Sequence, residues 1–379
     1  MKIIVGMSGG VDSSVAALLL IEQGFEVEGL FMRNWDSAIN QDVEGNPDID
    51  LDTCPQETDF LDAQRVCDQL GIHLHRHDFV HEYWDHVFAT FLRELEAGRT
   101  PNPDILCNKH IKFDQFISAA KALGAYKIAM GHFARIDSDV PPKLLRGVDA
   151  NKDQSYFLCQ IAQDDLNDVI FPIGHLTKAE VRALAKKHGL QTASKPDSTG
   201  ICFIGERRFS QFLSNYFSPH PGDIISENHE ILGRHDGLMY YTIGQRKGLR
   251  IGGDNRFQSL PWFVSDKDVT HNTLTVVQGF HHPKLYSTHC FLEDFNWVSR
   301  AHRQPRFAAS AKFRYRQADV QVNVEMIDET KLHVTYLQGV RAVTPGQACV
   351  LYQGEVMIGG GTIDRVFYED ETRHIGVVQ

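Results

Sequence analysis

Ser8-Gly9-Gly10-Val11-Asp12-Ser13 lies between the apolar run Lys2 to Met7 and the apolar stretch Ser13 to Gln23, which Gly24 closes. A short apolar run before it reads as a buried strand, and the stretch after it as a helix with a glycine stop. Two glycines at such a strand-to-helix turn let the backbone approach a phosphate, and the free N–H groups of the helix start point at it. Ser8 and Ser13 add hydroxyl donors. Asp12 repels phosphate, so it is expected either to hold a magnesium ion or to orient the loop. The spacing matches neither G-x-x-x-x-G-K-[ST] nor G-x-G-x-x-G.

Outward from this turn, strands and helices alternate. Phe25 to Phe31 alternates at period two, residues 36–52 form an acidic loop, and a helix runs from about Pro55 to Gly71. Ile72 to Asp78 reads as a strand, Lys109 to Leu123 as a helix and Tyr126 to Met130 as a strand. This alternation implies a parallel sheet with helices on both faces. Thr177-Lys178-Ala179-Glu180 has capping-box spacing, and Gly189 ends the helix it opens. Gly, Tyr and basic residues dominate 219–260. From about 273 onward short alternating strands at 273–277, 320–324, 332–336, 348–352 and 355–358 read as a small antiparallel barrel or sandwich.

A chain of 379 residues predicts two or three domains. With 42% apolar and 23% charged residues, it is neither disordered nor collagen-like. No run reaches the roughly 18 apolar residues of a membrane span, and the first residues are too short for a secretory h-region, so a cytoplasmic protein with no membrane partner is expected. The net charge of −11 is concentrated in residues 1–110, which hold 20 acidic against 7 basic residues. That disfavours nonspecific nucleic-acid binding, DNA included, but leaves room for a local basic surface further on. The seven cysteines are sparse and never spaced C-x-x-C, which argues against a disulfide framework or a zinc or iron–sulfur site.

Cys54, Cys67, Cys159, Cys290 and Cys349 read as small buried hydrophobes. Cys107, in Pro101-Asn102-Pro103-Asp104-Ile105-Leu106-Cys107-Asn108, and Cys202, beside Gly200, are framed instead by turn residues and short polar side chains. The prolines are expected to delay the helix until just before Lys109, which places Cys107 near a helix start, where the dipole lowers a thiol pKa.

Ser-Gly-Gly-x-Asp-Ser resembles the signature of the PP-loop ATP pyrophosphatases, which cleave ATP between the α- and β-phosphates on a doubly wound sheet. With the two cysteine frames, Asn151 to Leu158, Asp197 to Gly205, Gly237 to Tyr240, Gly244 to Leu249 and Arg314 to Gln317, the chain resembles the bacterial tRNA-specific 2-thiouridylases from end to end. The resemblance implies an α/β fold with three parts: a doubly wound parallel-sheet PP-loop domain over 1–208, a small central domain over 209–278 and a C-terminal antiparallel β-barrel over 279–379. It implies ATP as co-substrate, with magnesium, on Gly6, Met7, Ser8, Gly9, Gly10, Val11, Asp12, Ser13, Met32 and Gly131. Cys202 would carry a persulfide and Cys107 would be the nucleophile. Asn102, Pro103 and Asp104 would touch the target base, with Asp104 polarising the uracil edge or else serving as an N-cap. Lys152, Asp153, Gln154, Arg314 and Tyr315 would contact a tRNA bearing a wobble uridine. A cysteine desulfurase or a sulfur-relay carrier would supply the sulfur.

Arg314-Tyr315-Arg316 is expected on a strand, its two cations sharing a face. The basic pairs at 186–187, 207–208 and 246–247 read mainly as solvated surface. His73, His75 and His77 share one strand face and read as ordinary surface rather than a metal site. A PP-loop ligase with a nitrogen nucleophile leaves both framed cysteines without work. A tRNA-binding module without catalysis is the other alternative.

Overall fold

The computed structural model describes residues 1–44, 46, 55–197, 200–201, 204, 207–252, 260–368, 371–375 and 377–378. Cys202 and Cys54 lie outside the described residues.

Four strands of the N-terminal part are β1 (Lys2–Gly6), β2 (Glu26–Arg33), β3 (Leu74–Asp78) and β4 (Lys127–Ala129). With Val169–Ile170 they form a parallel sheet in the order β3, β2, β1, β4, Val169–Ile170. β1 lies at the centre, its neighbours reached by crossovers in opposite directions. The carboxyl end of β1 is thus the switch point where ligands of such sheets bind. Helices α1 (Val11–Glu22) and α2 (Pro55–Leu70) cover one face. On the other face Phe88, Phe91, Ile111 and Phe116 pack in a core that includes Ile4 and Met130.

The helix expected from Lys109 starts six residues earlier. Asn102 caps it, accepting from the Asp104 N–H at 3.1 Å, and Pro103 is its first residue. A proline at that position loses no helical hydrogen bond, so Asn-Pro-Asp opens the helix rather than delaying it. The capping role weighed for Asp104 belongs to Asn102. The helical run continues through a π segment, Asn108–Gln115, to Phe116–Ala122.

The central part holds Gly222–Ser226, Ile231–His235, Trp262–Asp268 and Thr273–Gln278 in one sheet. The last of these was expected to open the barrel. It pairs instead with Trp262–Asp268 and Gly222–Ser226, because pairing partners, not periodicity, assign a strand to its sheet.

Six antiparallel strands close the barrel in the order Tyr286–Trp297, Leu332–Arg341, Val320–Met326, Arg306–Lys312, Ala348–Gln353, Val356–Tyr368 and back to the first. Phe295, Trp297, Phe313, Leu332 and Ile358 belong to its core. A hairpin of the N-terminal part, Ala134–Ile136 with Leu144–Arg146, pairs with the strand Val356–Tyr368. Tyr156, Leu158 and Cys159 share a core with the barrel's Val350, Tyr352 and Met357. Among the described residues no helix is long and apolar enough to cross a membrane.

Candidate active site

The Ser8–Ser13 turn ends β1. Gly9 adopts φ +70°, and a Cβ there would lie 2.2 Å from the Asp59 carbonyl oxygen, so only glycine fits. Ser8 and Ser13 bind each other, hydroxyl to hydroxyl at 3.1 Å, and Ser13 donates to the Gly10 carbonyl. Gly10 is the N-cap of α1 and gives it no side-chain acceptor. The first N–H groups of the helix therefore receive nothing from their own cap, the condition an anion site needs. Gly131, just past β4, backs directly onto this helix start. A Cβ there would stand 2.9 Å from the Ser13 nitrogen. Met7, Val11 and Met32 are buried, Met32 at the carboxyl end of β2. Gly6 packs closely against the Met130 sulfur.

Asp12 is the second residue of α1. Burial raises its pKa, and the Lys178 ammonium pulls the other way with contacts of 2.7 and 2.8 Å to its two oxygens. Lys178 also meets Asp197 at 2.8 Å, and Asp197 pairs in turn with Lys152 and, at 2.8 Å, with Arg182. Burial works to raise the Asp197 pKa, but Lys152 and Lys178 outweigh it and hold the carboxyl well below its usual range. Both Asp12 oxygens are thus engaged by a lysine, and no cluster of three metal-ligating side chains exists among the described residues. The side chains do not by themselves build a magnesium site.

Asp149 to Leu158 ties the region together. Asp149 accepts the Lys178 backbone N–H at 2.9 Å. Lys152 reaches Asp197, five residues before Cys202. Gln154 exchanges hydrogen bonds with Phe133, two residues past Gly131: its side chain accepts at 3.0 Å and its own N–H donates at 2.9 Å. Asp153 is buried. Its carboxylate accepts from Gly147, from the Ser155 N–H and from the Ser155 hydroxyl, at 2.7 to 3.1 Å, with Arg146 and Lys312 beyond. That carboxylate is spent on its own loop, whereas Lys152 stands at the edge of the charge cluster. The turn Ser155–Leu158 packs against the helix Pro103–Cys107.

Cys107 closes the first turns of that helix, one residue before the π segment. It is fully buried, in a core with Ile105 and Ile111. Asn102, Pro103 and Asp104 are half-buried at the helix start. The other described cysteines are buried, and burial pushes Cys67, Cys159 and Cys290 up to about 12 and raises Cys349 well above the ordinary thiol value. They are inert at neutral pH.

Arg314 to Arg316 form a turn between Arg306–Lys312 and Val320–Met326, not the expected strand. Alternating charges imitate a strand pattern in a loop that no partner strand reaches. Arg314 and Arg316 are exposed, and Tyr315 packs on Phe157 with ring centroids 4.4 Å apart. Burial, then nearby Asp153, push Tyr315 up to about 12. The barrel turn thus meets the same hub as Lys152 and the Cys107 helix. His75 of the histidine triplet binds Glu28 at 2.7 Å.

Sequence reasoning read Lys178 only as part of a capping box and missed its role in the cluster. The available signal was a cation at the first position of a helix, where the macrodipole opposes it. A second omission is Asp42, buried with Arg207 at 2.9 Å and the Trp35 indole at 3.0 Å.

A family model described as "tRNA methyl transferase HUP domain" matches residues 1–206. Models described as "tRNA methyl transferase PRC-barrel domain" and "Aminomethyltransferase beta-barrel domain" match 210–278 and 287–363. The chain is 53% identical over 373 residues to the tRNA-specific 2-thiouridylase MnmA of Acholeplasma laidlawii, covering 98% of each. It is 52% identical to that of Mesoplasma florum, over 96% of this chain and 99% of the relative. It is 51% identical to that of Lysinibacillus sphaericus, over 98% and 96%.

Proposed function

Because this chain belongs to the tRNA-specific 2-thiouridylase family, we propose that it replaces the C2 oxygen of a tRNA wobble uridine by sulfur, using ATP and a cysteine persulfide. The observation that carries this reading is the hub at Asp149–Leu158, which joins the phosphate cradle, the Cys107 helix, Asp197 and the barrel turn at Tyr315.

The C2 carbonyl of uridine is a poor electrophile and its oxygen a poor leaving group. ATP binds with its phosphates on the uncapped start of α1, between Gly6 and Ser13, and its nucleoside towards Met32 and Gly131. The uridine oxygen attacks the α-phosphorus, pyrophosphate leaves, and the uracil N3 proton passes to solvent. The oxygen is now part of an AMP leaving group. Asn102, Pro103 and Asp104 hold the base, and Lys152, Gln154, Arg314 and Tyr315 hold the surrounding RNA, the cations on phosphates and the ring on a base. Asp153 shapes this surface from within.

Cys202 receives the outer sulfur from a donor protein, a cysteine desulfurase or a sulfur-relay carrier. In one route that sulfur attacks C2 and expels AMP, and the Cys107 thiolate then attacks the Cys202 sulfur, releasing thiouridine and leaving a Cys107–Cys202 disulfide. In the other, Cys107 attacks first and frees hydrosulfide, which attacks C2. Both consume two cysteine electrons, restored by an external thiol. The buried Cys107 requires local opening in either route, so substrate or donor binding exposes it. Such an enzyme works in the cytoplasm, where unmodified tRNA and reductant coexist.

Pyrophosphate release from ATP, measured with and without unmodified tRNA, tests the reading. We expect release that depends on tRNA, and labelled sulfur transfer that requires Cys202. No release would leave only RNA binding, and nitrogen incorporation without need of Cys202 would indicate a ligase.

A further inference from the structure

Cys202 stands midway between two residues that ion pairs hold, Asp197 and Arg207, five positions away on either side. Asp197 belongs to the cluster with Lys152, Lys178 and Arg182. Arg207 is held by Asp42, which lies in the loop after β2. Its Nη2 and Nε donate to one Asp42 oxygen at 2.9 and 3.1 Å, and the Trp35 indole N–H donates to the same oxygen at 3.0 Å. Both side chains are withdrawn from water, that of Asp42 0% and that of Arg207 4% exposed. Beside the pair, the Tyr216 hydroxyl donates to the Asn40 carbonyl at 2.8 Å. The Asn215 side chain donates to the Glu44 carbonyl at 3.0 Å and accepts the Glu44 N–H at 2.9 Å. The loop after β2 is thus fastened to the chain that follows Cys202.

A buried ion pair is a poor device for stability. Taking both charges out of water cancels much of their attraction, and an apolar pair of the same size holds a core as well. What the pair has that an apolar contact lacks is direction, because a planar guanidinium meets a carboxylate in few geometries. Five extended residues reach no further than about 18 Å. The Arg207 pair and the Asp197 cluster therefore bound the position of Cys202 from both sides. The residues flanking Cys202 bear on the same point. The Ile204 N–H donates to the Ile201 carbonyl at 3.0 Å. Ile204 belongs to the core that contains Cys107, and Ile201 packs against that core.

We propose that Asp42 is a positioning residue for sulfur transfer: through Arg207 it fixes the downstream end of the persulfide-bearing stretch and so sets where Cys202 presents its sulfur. The inference rests on the persulfide reading. Asp42 acts through Arg207 and not on the reacting atoms. It serves the delivery of sulfur and not the activation of uridine, because the phosphate cradle takes its shape from other contacts. Those are the paired hydroxyls of Ser8 and Ser13 and the close approach of Gly131 to the start of α1.

The double variant Asp42→Leu/Arg207→Met in the full chain tests this, since it removes both charges together and leaves neither buried alone. ATP affinity, pyrophosphate release in the first turnover with unmodified tRNA, KM for tRNA and kcat for 2-thiouridine formation with a persulfide donor are compared with wild type. The expected result is ATP affinity, pyrophosphate release and KM within twofold of wild type, with kcat for thiolation lowered at least tenfold. Arg207→Lys, which keeps a cation opposite Asp42, is expected to hold kcat within threefold of wild type. Unchanged kcat in the double variant overturns the proposal. Loss of ATP binding and pyrophosphate release in step with thiolation also overturns it, because the pair would then serve the fold alone. Absence of 2-thiouridine from the wild-type chain overturns the persulfide reading instead.

Discussion

Asn102 caps a helix, and the base contact we propose for it is a second job that different substitutions separate. Its Oδ1 caps the Cys107 helix, so the proposed base contact falls to its Nδ2 donor. Asn102→Ala removes both jobs and is expected to cost about 0.5–2 kcal/mol of stability. Asn102→Asp keeps a capping oxygen and should unfold within a few tenths of a kcal/mol of wild type, yet thiolate at least tenfold more slowly. Urea unfolding and the rate of thiolation, measured on both variants, check this. Normal activity in Asn102→Asp would make the residue a cap alone. At this scale the sequence was legible where the backbone demands a rare residue, as at Gly9; Cys107, expected near a helix start, instead lies fully buried at the fifth residue of its helix. The sequence was opaque where a side chain crosses between elements. Lys178 reaching Asp12 depends on a contact between residues far apart in the chain, and Asp153 turning inward on bonds from Gly147 and Ser155 of its own loop, which no residue spacing marks.

At the scale of elements, the alternation up to Asp78 was read to within about two residues, because buried strands and amphipathic helices carry their own periods. The errors share one cause. The helix from Pro103, the turn at 314–316 and the placement of Thr273–Gln278 were each judged from local pattern, whereas capping and strand pairing decided them. The stretch Val80–Glu96, helical through a π segment at Trp84–Phe88, gave no clear signal among its scattered aromatic residues. The consequence for function is concrete: the cysteine helix begins at the residues we propose for base contact, so Asn102 and Cys107 belong to one helix.

At the scale of the molecule, Gly98 to Pro101, just before that helix, is gripped by both other parts. The Gly98 carbonyl accepts from Lys267 of the central sheet at 2.9 Å, Arg99 binds Asp364 at 3.1 Å and the Ile363 carbonyl, and Gln347 donates to the Thr100 carbonyl at 2.7 Å. Lys267 is buried, and burial pushes its pKa down to about 7. Between about pH 7 and the ordinary lysine value near 10.4, the unfolded chain binds a proton that the folded chain does not. Stability from this group therefore rises with pH across that window, by at most about 1.4 kcal/mol per pH unit. Lys267→Met should lose the slope: its thermal midpoint, compared with wild type at pH 7, 8 and 9, is expected to fall progressively behind. A constant difference would mean that the amine titrates normally. The three parts themselves were expected from the family resemblance, but this junction, which no motif marks, was not.

We propose that one chain activates a uridine with ATP and hands it a single sulfur through two cysteines. Nucleoside mass spectrometry measures this directly after incubation of the chain with ATP, magnesium, a labelled persulfide donor and unmodified tRNA. Labelled 2-thiouridine is expected from the wild-type chain, with one AMP for each thiolated nucleoside, and none from Cys107→Ser or Cys202→Ser. Labelled 2-thiouridine at the wild-type rate from either variant, or none from the wild-type chain, would contradict it.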